Sequence, residues 1–412
     1  MKNYNRPELV ITGIGVTTAV GQGKTGFTSA LLDGRHAFAV MQRSGRQENG
    51  TSFLGAEIPS LSFPKEFSKR LLRATSFAGQ AALVTLHEAW EEAKLDLIAP
   101  SRIGLVVGGS NVQQRDLVQY FDSYRDRAGF IPPTYGLSFM DSDLCGFCTE
   151  HFGIRGLAWT VGGASASGQV AIMQAAQAVQ CGQVDACIAM GALMDLSFWE
   201  CQALRSLGAM GTDRYTSEPA AACRPFDKYR DGFIFGECCG AVVIERAESA
   251  VSHQAKPYAI LSGWAIVMDG NRNPNPSGEG EVLVIEKALA EARLEPRDID
   301  YINPHGTGSV IGDATELKAI HACRLSHAFI NATKSITGHG LSAAGTVEVV
   351  ATLLQMKESR LHPTRNLEDP LDTSLNWVGS KPIFHGIKNA LTLSMGFGGI
   401  NTALCLRKYE NS

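Results

Sequence analysis

The sequence predicts an α/β fold assembled from two similar halves, and three observations carry that expectation. Short strands rich in Val and Ile alternate with amphipathic helical stretches along the whole chain. The second half repeats the order of elements of the first. Two helical stretches, one in each half, carry small or apolar residues on every face, the pattern of a helix sandwiched between sheets.

The opening "ELVITGIGV" (8–16) reads as a strand, and "FAGQAALVTLHEAWEEAKL" (77–95) follows with apolar residues at helical spacing. "RIGLVVGG" (102–109) and "DACIAMGAL" (185–193) are further strands. After "GAVVIERAESA" the pattern restarts, with a strand "YAILSGWAIVM", a helix "EVLVIEKALAEARL" and a strand in "DIDYINPHGTG". The restart puts a boundary near residue 250, giving halves 1–250 and 251–412. "SASGQVAIMQAAQAVQCG" and "SAAGTVEVVATLLQMKES" are the two helices with small or apolar residues on every face, opening around Gly168 and Gly345. No Pro- or Ser-rich linker divides the chain into modules.

Composition narrows the function classes. With 412 residues and 44% hydrophobic content the chain can bury a large core, and 37 basic against 41 acidic residues leave a net charge of −4. That balance gives no general reason to bind nucleic acid or anionic lipid. The start, "MKNYNRPELVITGIGV", lacks the charged and apolar regions of a secretory signal, and no apolar run has spanning length. Ten scattered cysteines then read as reduced thiols of a cytoplasmic protein. Cys145 and Cys148 form a CxxC pair, which suits a redox centre or half a zinc site; with helical flanks and no second CxxC, two buried helical thiols are the expectation. "GIGVTTAVGQGKTG" imitates nucleotide-binding motifs, but Thr18 occupies the position where both the G-x-G-x-x-G and the P-loop patterns need glycine. Structural turn glycines are the expectation there.

Three segments set reactive side chains among glycines at the ends of apolar strands: "NPHGTGSVIGDATE", "NATKSITGHGLSAAG" and "LSMGFGGIN". Such turns open onto a cleft, which makes His305, Lys334 and His339 candidates, whereas His151, His321 and His327 are expected at the surface. In "WTVGGASASGQVAI" (159–172) a strand runs through a tight small-residue turn into a helix, and the turn places Ser165 where nucleophiles sit.

These segments, with "CRPFDKYRDGFIFGE" (223–237) and the opening strand, resemble the β-ketoacyl synthases of fatty-acid and polyketide assembly, in order from about residue 8 to residue 408. The resemblance implies the thiolase fold: duplicated βαβαβαββ halves in a five-layer αβαβα sandwich, and a homodimer. It aligns Ser165 with the family's nucleophilic cysteine, His305 and His339 with the catalytic histidines, Lys334 with the lysine of K-S-x-T-G-H, and Phe397 with the gatekeeper whose N–H helps form an oxyanion hole. It places Glu316, with Asp313 and Glu348, in the polar network around the lysine. Thr307 and Ser309 fall at positions that bind a phosphopantetheine arm. No cofactor or metal of the protein's own is implied; the substrate rides on an acyl carrier protein.

Serine at the nucleophile position decides the expected activity. A thiolate accepts the acyl group in condensation, and a serine hydroxyl ionises far less readily. Decarboxylation of a malonyl thioester needs only donors for the developing enolate, and both histidines are retained. The expected reaction is conversion of malonyl-acyl carrier protein to acetyl-acyl carrier protein without condensation. Ser-for-Cys proteins of this kind resemble the stand-alone ketosynthase-like decarboxylases of polyketide β-branching cassettes, of the bacillaene kind, which adds the other cassette enzymes as partners. Two alternatives stay open: a serine acyltransferase or thioesterase using Ser165, and a non-catalytic partner subunit like the polyketide chain-length factors. "PKEFSKRLLR" puts Lys65, Lys69, Arg70 and Arg73 on about two helical turns, either to dock an acidic carrier protein or as a solvated helix face.

Overall fold

The computed structural model describes residues 7–73, 75–272 and 274–410. One sheet dominates it, in the order Asn376–Trp377, Phe329–Ile330, Tyr301–Asn303, Asn389–Gly396, Ile400–Lys408, Ala259–Met268, Leu9–Thr18, Cys238–Arg246, Ala186–Gly191, Ile103–Gly108, Ala158–Val161. The two halves meet where Leu9–Thr18 pairs antiparallel with Ala259–Met268, through Val10 opposite Ile260. Outward from that seam each half repeats the same sequence of pairings, two antiparallel and then parallel ones. Even a register shift recurs, between Ile11 and Gly13 in one half and between Leu261 and Gly263 in the other.

The centre of the sandwich is formed by the helices Ser167–Gln180 and Ala344–Glu358, as their small and apolar residues predict; every residue of the second from Ala344 to Met356 is buried. Val347 and Val350 of the second helix join one core with inward residues of both half-sheets, among them Ile11, Ile14, Val242 and Leu404. Phe77–Ala93 covers one outer face and Gly278–Ala292 the other, each over its own core. Five layers result, the thiolase fold. A fully buried aliphatic side chain contributes about 1.5–3 kcal/mol, and each of these three cores holds many of them.

One expectation is corrected at the N-terminus. Gly13 and Gly15 lie inside the strand Leu9–Thr18 and not in a turn. A Cβ on Gly15 would stand 1.9 Å from the Thr85 carbonyl oxygen and one on Gly13 2.4 Å from that of Ala89, so these glycines let the outer helix lie against the strand. Lys24 sits in the helix Gly23–Leu32 and pairs with Glu92 at 2.7 Å. Cys145 and Cys148 are buried on the helix Ser142–Phe152, as expected of packed thiols. No helix among the described residues is long and apolar enough to cross a membrane.

Candidate active site

Ser165 lies in a single 3-10 turn, Ala164–Ala166, between the strand Ala158–Val161 and the central helix. Ala164 has φ of 49°, a left-handed conformation that costs a residue with a Cβ of the order of 1–3 kcal/mol. Ser167 holds the turn in place: its hydroxyl donates to the Ala164 carbonyl at 2.7 Å and accepts from the Gly163 N–H at 2.9 Å. The other half has a matching turn, where Leu341, at φ of 51°, precedes Ser342. The two turns come together because the central helices cross on glycine: a Cβ at Gly168 would lie 2.7 Å from the Thr346 nitrogen, and one at Gly345 3.0 Å from the Gln169 nitrogen.

Ser165 opens into a cavity of about 430 Å³ whose wall includes His305, His339, Thr307, Ser309, Asp313, Glu316 and Phe397. The two histidine rings stand 5.5 Å apart between centroids at an interplanar angle of 84°. His305 follows the strand Tyr301–Asn303, and its turn is gripped from behind by the helix Val310–Ala322. Glu316 accepts the N–H groups of His305 (2.6 Å) and Gly306 (2.8 Å), and Asp313 accepts those of Thr307 and Gly308 (both 3.1 Å). His339 is braced by the segment containing "FIFGE": its N–H donates to the Ile234 carbonyl at 2.7 Å, and the Phe233 ring meets it edge-on at 5.1 Å. That bracing explains why this stretch accompanies the histidine motif.

Tautomers follow from the neighbours. The Lys334 ammonium, a donor only, lies 3.5 Å from His305 Nδ1, and the Leu341 N–H lies 3.3 Å from His339 Nδ1. Each Nδ1 is therefore the acceptor and each Nε2 carries the proton. Burial holds both rings far below the usual histidine range and the Lys334 charge adds to this, with His339 contributing further at His305. The result is two neutral rings, each with an Nε2–H to donate.

The lysine network is arranged differently from the expectation that put Glu316 first. Lys334 pairs directly with Glu348 and donates to the His305 carbonyl at 2.5 Å, while Glu316 and Asp313 hold backbone amides. Burial raises all three carboxyls: Glu316 and Glu348 to about 7 and Asp313 to about 6. Ser309 caps the helix Val310–Ala322 by accepting from the Gly312 N–H, and Thr307 accepts from the Ser309 N–H; each hydroxyl keeps its own proton to donate. Phe397 stands 40% exposed at the end of the strand Asn389–Gly396, on a turn closed by Gly398 and Gly399 at positive φ.

Outside the cavity, Lys65, Lys69, Arg70 and Arg73 are all exposed, but the helix is only Lys69–Arg73. Lys65 lies in the preceding turn, where Pro64 and the buried Phe67 direct the chain, so the expected two helical turns are absent. His327 is exposed and His321 is exposed with its Nε2 2.5 Å from Asp372, as expected, whereas His151 is half-buried, packed edge-on against Phe67 and Phe152 at 4.8 Å. Phe67, 84 positions earlier by subtraction of the numbers, covers one side of the ring, which no local pattern announces. The sequence reading missed Ser167's part in the turn and also Glu281, a buried acid of the cavity wall.

The family described as "Beta-ketoacyl synthase, N-terminal domain" matches residues 6–250, and "Beta-ketoacyl synthase, C-terminal domain" matches residues 258–368. The chain is 67% identical over 410 residues to the polyketide biosynthesis malonyl-ACP decarboxylase PksF of Bacillus subtilis (strain 168), covering 100% of this chain and 99% of the relative. It is 31% identical over 426 residues to the 3-oxoacyl-[acyl-carrier-protein] synthase 2 of a Synechocystis strain, with both chains covered in full. Among solved structures, a β-ketoacyl synthase from Burkholderia phymatum superposes with a TM-score of 0.90 at 26% identity, covering 98% of this chain and 100% of that one. The AntDE:AntF structure, a type II polyketide acyl carrier protein in complex with its ketosynthase, superposes at 0.87 with 25% identity and the same coverage. With two domain matches that follow one another along the chain and relatives aligned from end to end, this protein belongs to the β-ketoacyl synthase family.

Proposed function

We propose that this protein decarboxylates malonyl-acyl carrier protein to acetyl-acyl carrier protein, for polyketide β-branching, without forming a carbon–carbon bond. The observation that carries the reading is the pair of neutral Nε2–H donors, His305 and His339, beside a serine that has no base. As CO2 leaves, negative charge moves onto the thioester oxygen, and fixed donors in a site shielded from water stabilise it. A ring whose proton already sits on Nε2 takes another only by becoming charged, which burial and the Lys334 ammonium oppose. Neither histidine is therefore suited to deprotonate Ser165, which weighs against the acyltransferase and thioesterase readings. The intact His305, Lys334 and His339 set weighs against a silent partner subunit.

Lys334 fixes the His305 tautomer, with Glu348 as its counter-charge; Glu316 and Asp313 shape the turn. Thr307 and Ser309 hold the phosphopantetheine amides, and the Phe397 N–H adds a donor at the oxyanion position. Ser165 leaves room for the malonyl group and offers a hydrogen bond. The 67% identity to a protein named as a malonyl-ACP decarboxylase supports the same chemistry here. Lys65, Lys69, Arg70 and Arg73 serve the acidic carrier protein. A cytoplasmic homodimer fits the exposed edge strand Ala158–Val161 and the exposed apolar Phe121, Phe130, Leu137 and Phe139; the division into halves at residue 250 follows the seam of the sheet.

Intact-mass spectrometry of malonyl-loaded carrier protein, incubated with the wild type, Ser165→Cys and His305→Ala, tests the reading. The expected outcome is loss of one CO2 from the carrier with no mass added to the wild-type enzyme, and near-absence of that loss with His305→Ala. An acyl mass retained on Ser165 would establish the acyltransferase or thioesterase alternative, and an unchanged carrier would favour the partner-subunit one.

A further inference from the structure

Glu281 lies in the first turn of the helix Gly278–Ala292, is 1% exposed, and lines the same cavity as Ser165, His305 and His339. Its Oε2 has no hydrogen-bond partner among the described residues. The other carboxyls around it are engaged. Glu316 and Asp313 hold amides of the His305 turn, with Arg230 3.8 Å from Asp313, and Asp269 accepts from Asn401 Nδ2 at 2.7 Å. A glutamate in a first helical turn ordinarily faces water, where the helix N-terminus favours its charge. Buried with a free oxygen on a cavity wall, this one bears a cost that a role in the cavity explains.

Decarboxylation leaves one requirement unmet, a proton for carbon. The histidine N–H groups are needed on the thioester oxygen, and giving one up would create an imidazolate. Lys334 is held by Glu348 and the His305 carbonyl, and a serine hydroxyl is a weak acid. We propose that Glu281, as the carboxylic acid, protonates the enolate carbon after CO2 has left. This rests on the decarboxylase reading above. The bond between the methylene carbon and the carboxylate breaks, CO2 departs, and the electron pair spreads over the methylene carbon and the thioester oxygen. That carbon then takes the Glu281 proton to complete the acetyl methyl group. The Glu281 carboxylate recovers a proton from water through the cavity mouth, so each turnover consumes one solvent proton. Burial, followed by the facing carboxyls of Glu316, Asp269 and Asp313, raises Glu281 to about 9, which keeps the acid form at neutral pH.

The test uses the full chain with malonyl-loaded carrier protein in a 1:1 mixture of H2O and D2O, reading kcat and the hydrogen-to-deuterium ratio of the acetyl methyl. Glu281→Gln is expected to lower kcat about 10-fold or more and to change the isotope ratio. The wild-type rate should fall as pH rises through about 9, a limb absent from the Gln variant. Glu281→Asp, which keeps an acid, should retain the isotope ratio and part of the rate, and it guards against misreading a folding defect. A Gln variant with wild-type rate and ratio overturns the proposal, and so does a slower one with an unchanged ratio, which would mark a positioning role. A wild type that leaves malonyl carrier protein intact overturns the decarboxylase reading together with this one; an active wild type with an indifferent Gln variant overturns this one alone.

Discussion

His339→Ala, measured beside Ser165→Ala, separates catalysis by donors from catalysis by a nucleophile. The His339 ring is 3% exposed, and its Nδ1 is fixed by the Leu341 N–H at 3.3 Å, so its Nε2–H acts as an oriented donor away from bulk water. Removing one donor of this kind lowers kcat about 100- to 1000-fold, or about 2.7–4 kcal/mol of transition-state stabilisation. The space left by the ring admits water, which places the expected loss nearer 100-fold. The Ser165 hydroxyl makes no hydrogen bond to either ring among the described residues, whose Nδ1 atoms face Lys334 and Leu341. Ser165→Ala should therefore stay within about threefold of the wild type, under ~0.7 kcal/mol. The assay is the initial rate of CO2 loss from malonyl carrier protein by intact mass. Equal damage from the two substitutions would refute the reasoning, because a nucleophile would then be indispensable.

Lys334→Met strands the buried Glu348 and should destabilise the fold by about 3–5 kcal/mol in chemical denaturation; adding Glu348→Leu should recover most of that stability but not kcat, since His305 still lacks its ammonium. The His305 and His339 rings should remain neutral with the proton on Nε2 from about pH 8 down to about pH 6, because burial and the Lys334 charge hold both well below the ordinary histidine value; imidazole 15N spectra read this directly. Gly168→Ala should cost about 1–3 kcal/mol because its Cβ meets Thr346 backbone that cannot yield, whereas Gly146→Ala, on an exposed helix position with open space around it, should stabilise by roughly 0.5–1 kcal/mol.

The features readable from sequence are those encoded in one short stretch. The apolar faces of 167–180 and 344–358 announced buried helices, and His305, Lys334 and His339 stood out because each sits in a glycine-rich turn after an apolar run. What stayed hidden depends on residues brought together by the fold. Glu281 reads as an ordinary first-turn acid, and its burial beside Asp269, Asp313 and Glu316 comes from segments that the fold brings to it. The choice of Glu348 over Glu316 as the direct partner of Lys334 depends on how helix Ala344–Glu358 is rotated, which its uniform burial conceals. Arg46 is a further case: it is fully buried between Glu57, Asp195 and Glu237, acids as much as 191 positions away by subtraction of their numbers, and no local pattern marks it.

The turn that presents Ser165 owes its shape to other residues: Ser167 ties it down, Ala164 bears its strained φ, and Gly168 admits the second central helix. Among the described residues, the hydrogen bonds that hold this turn come from Ser167 and not from the side chain at 165. A substitution at 165 can therefore change the group presented to the cavity without disturbing the contacts that shape the turn, so reactivity and folding are free to vary separately there. The matching turn at Leu341 and Ser342 shows the other fate open to a duplicated module: same geometry, but the Ser342 hydroxyl donates to the Ala192 carbonyl and serves cohesion instead of chemistry.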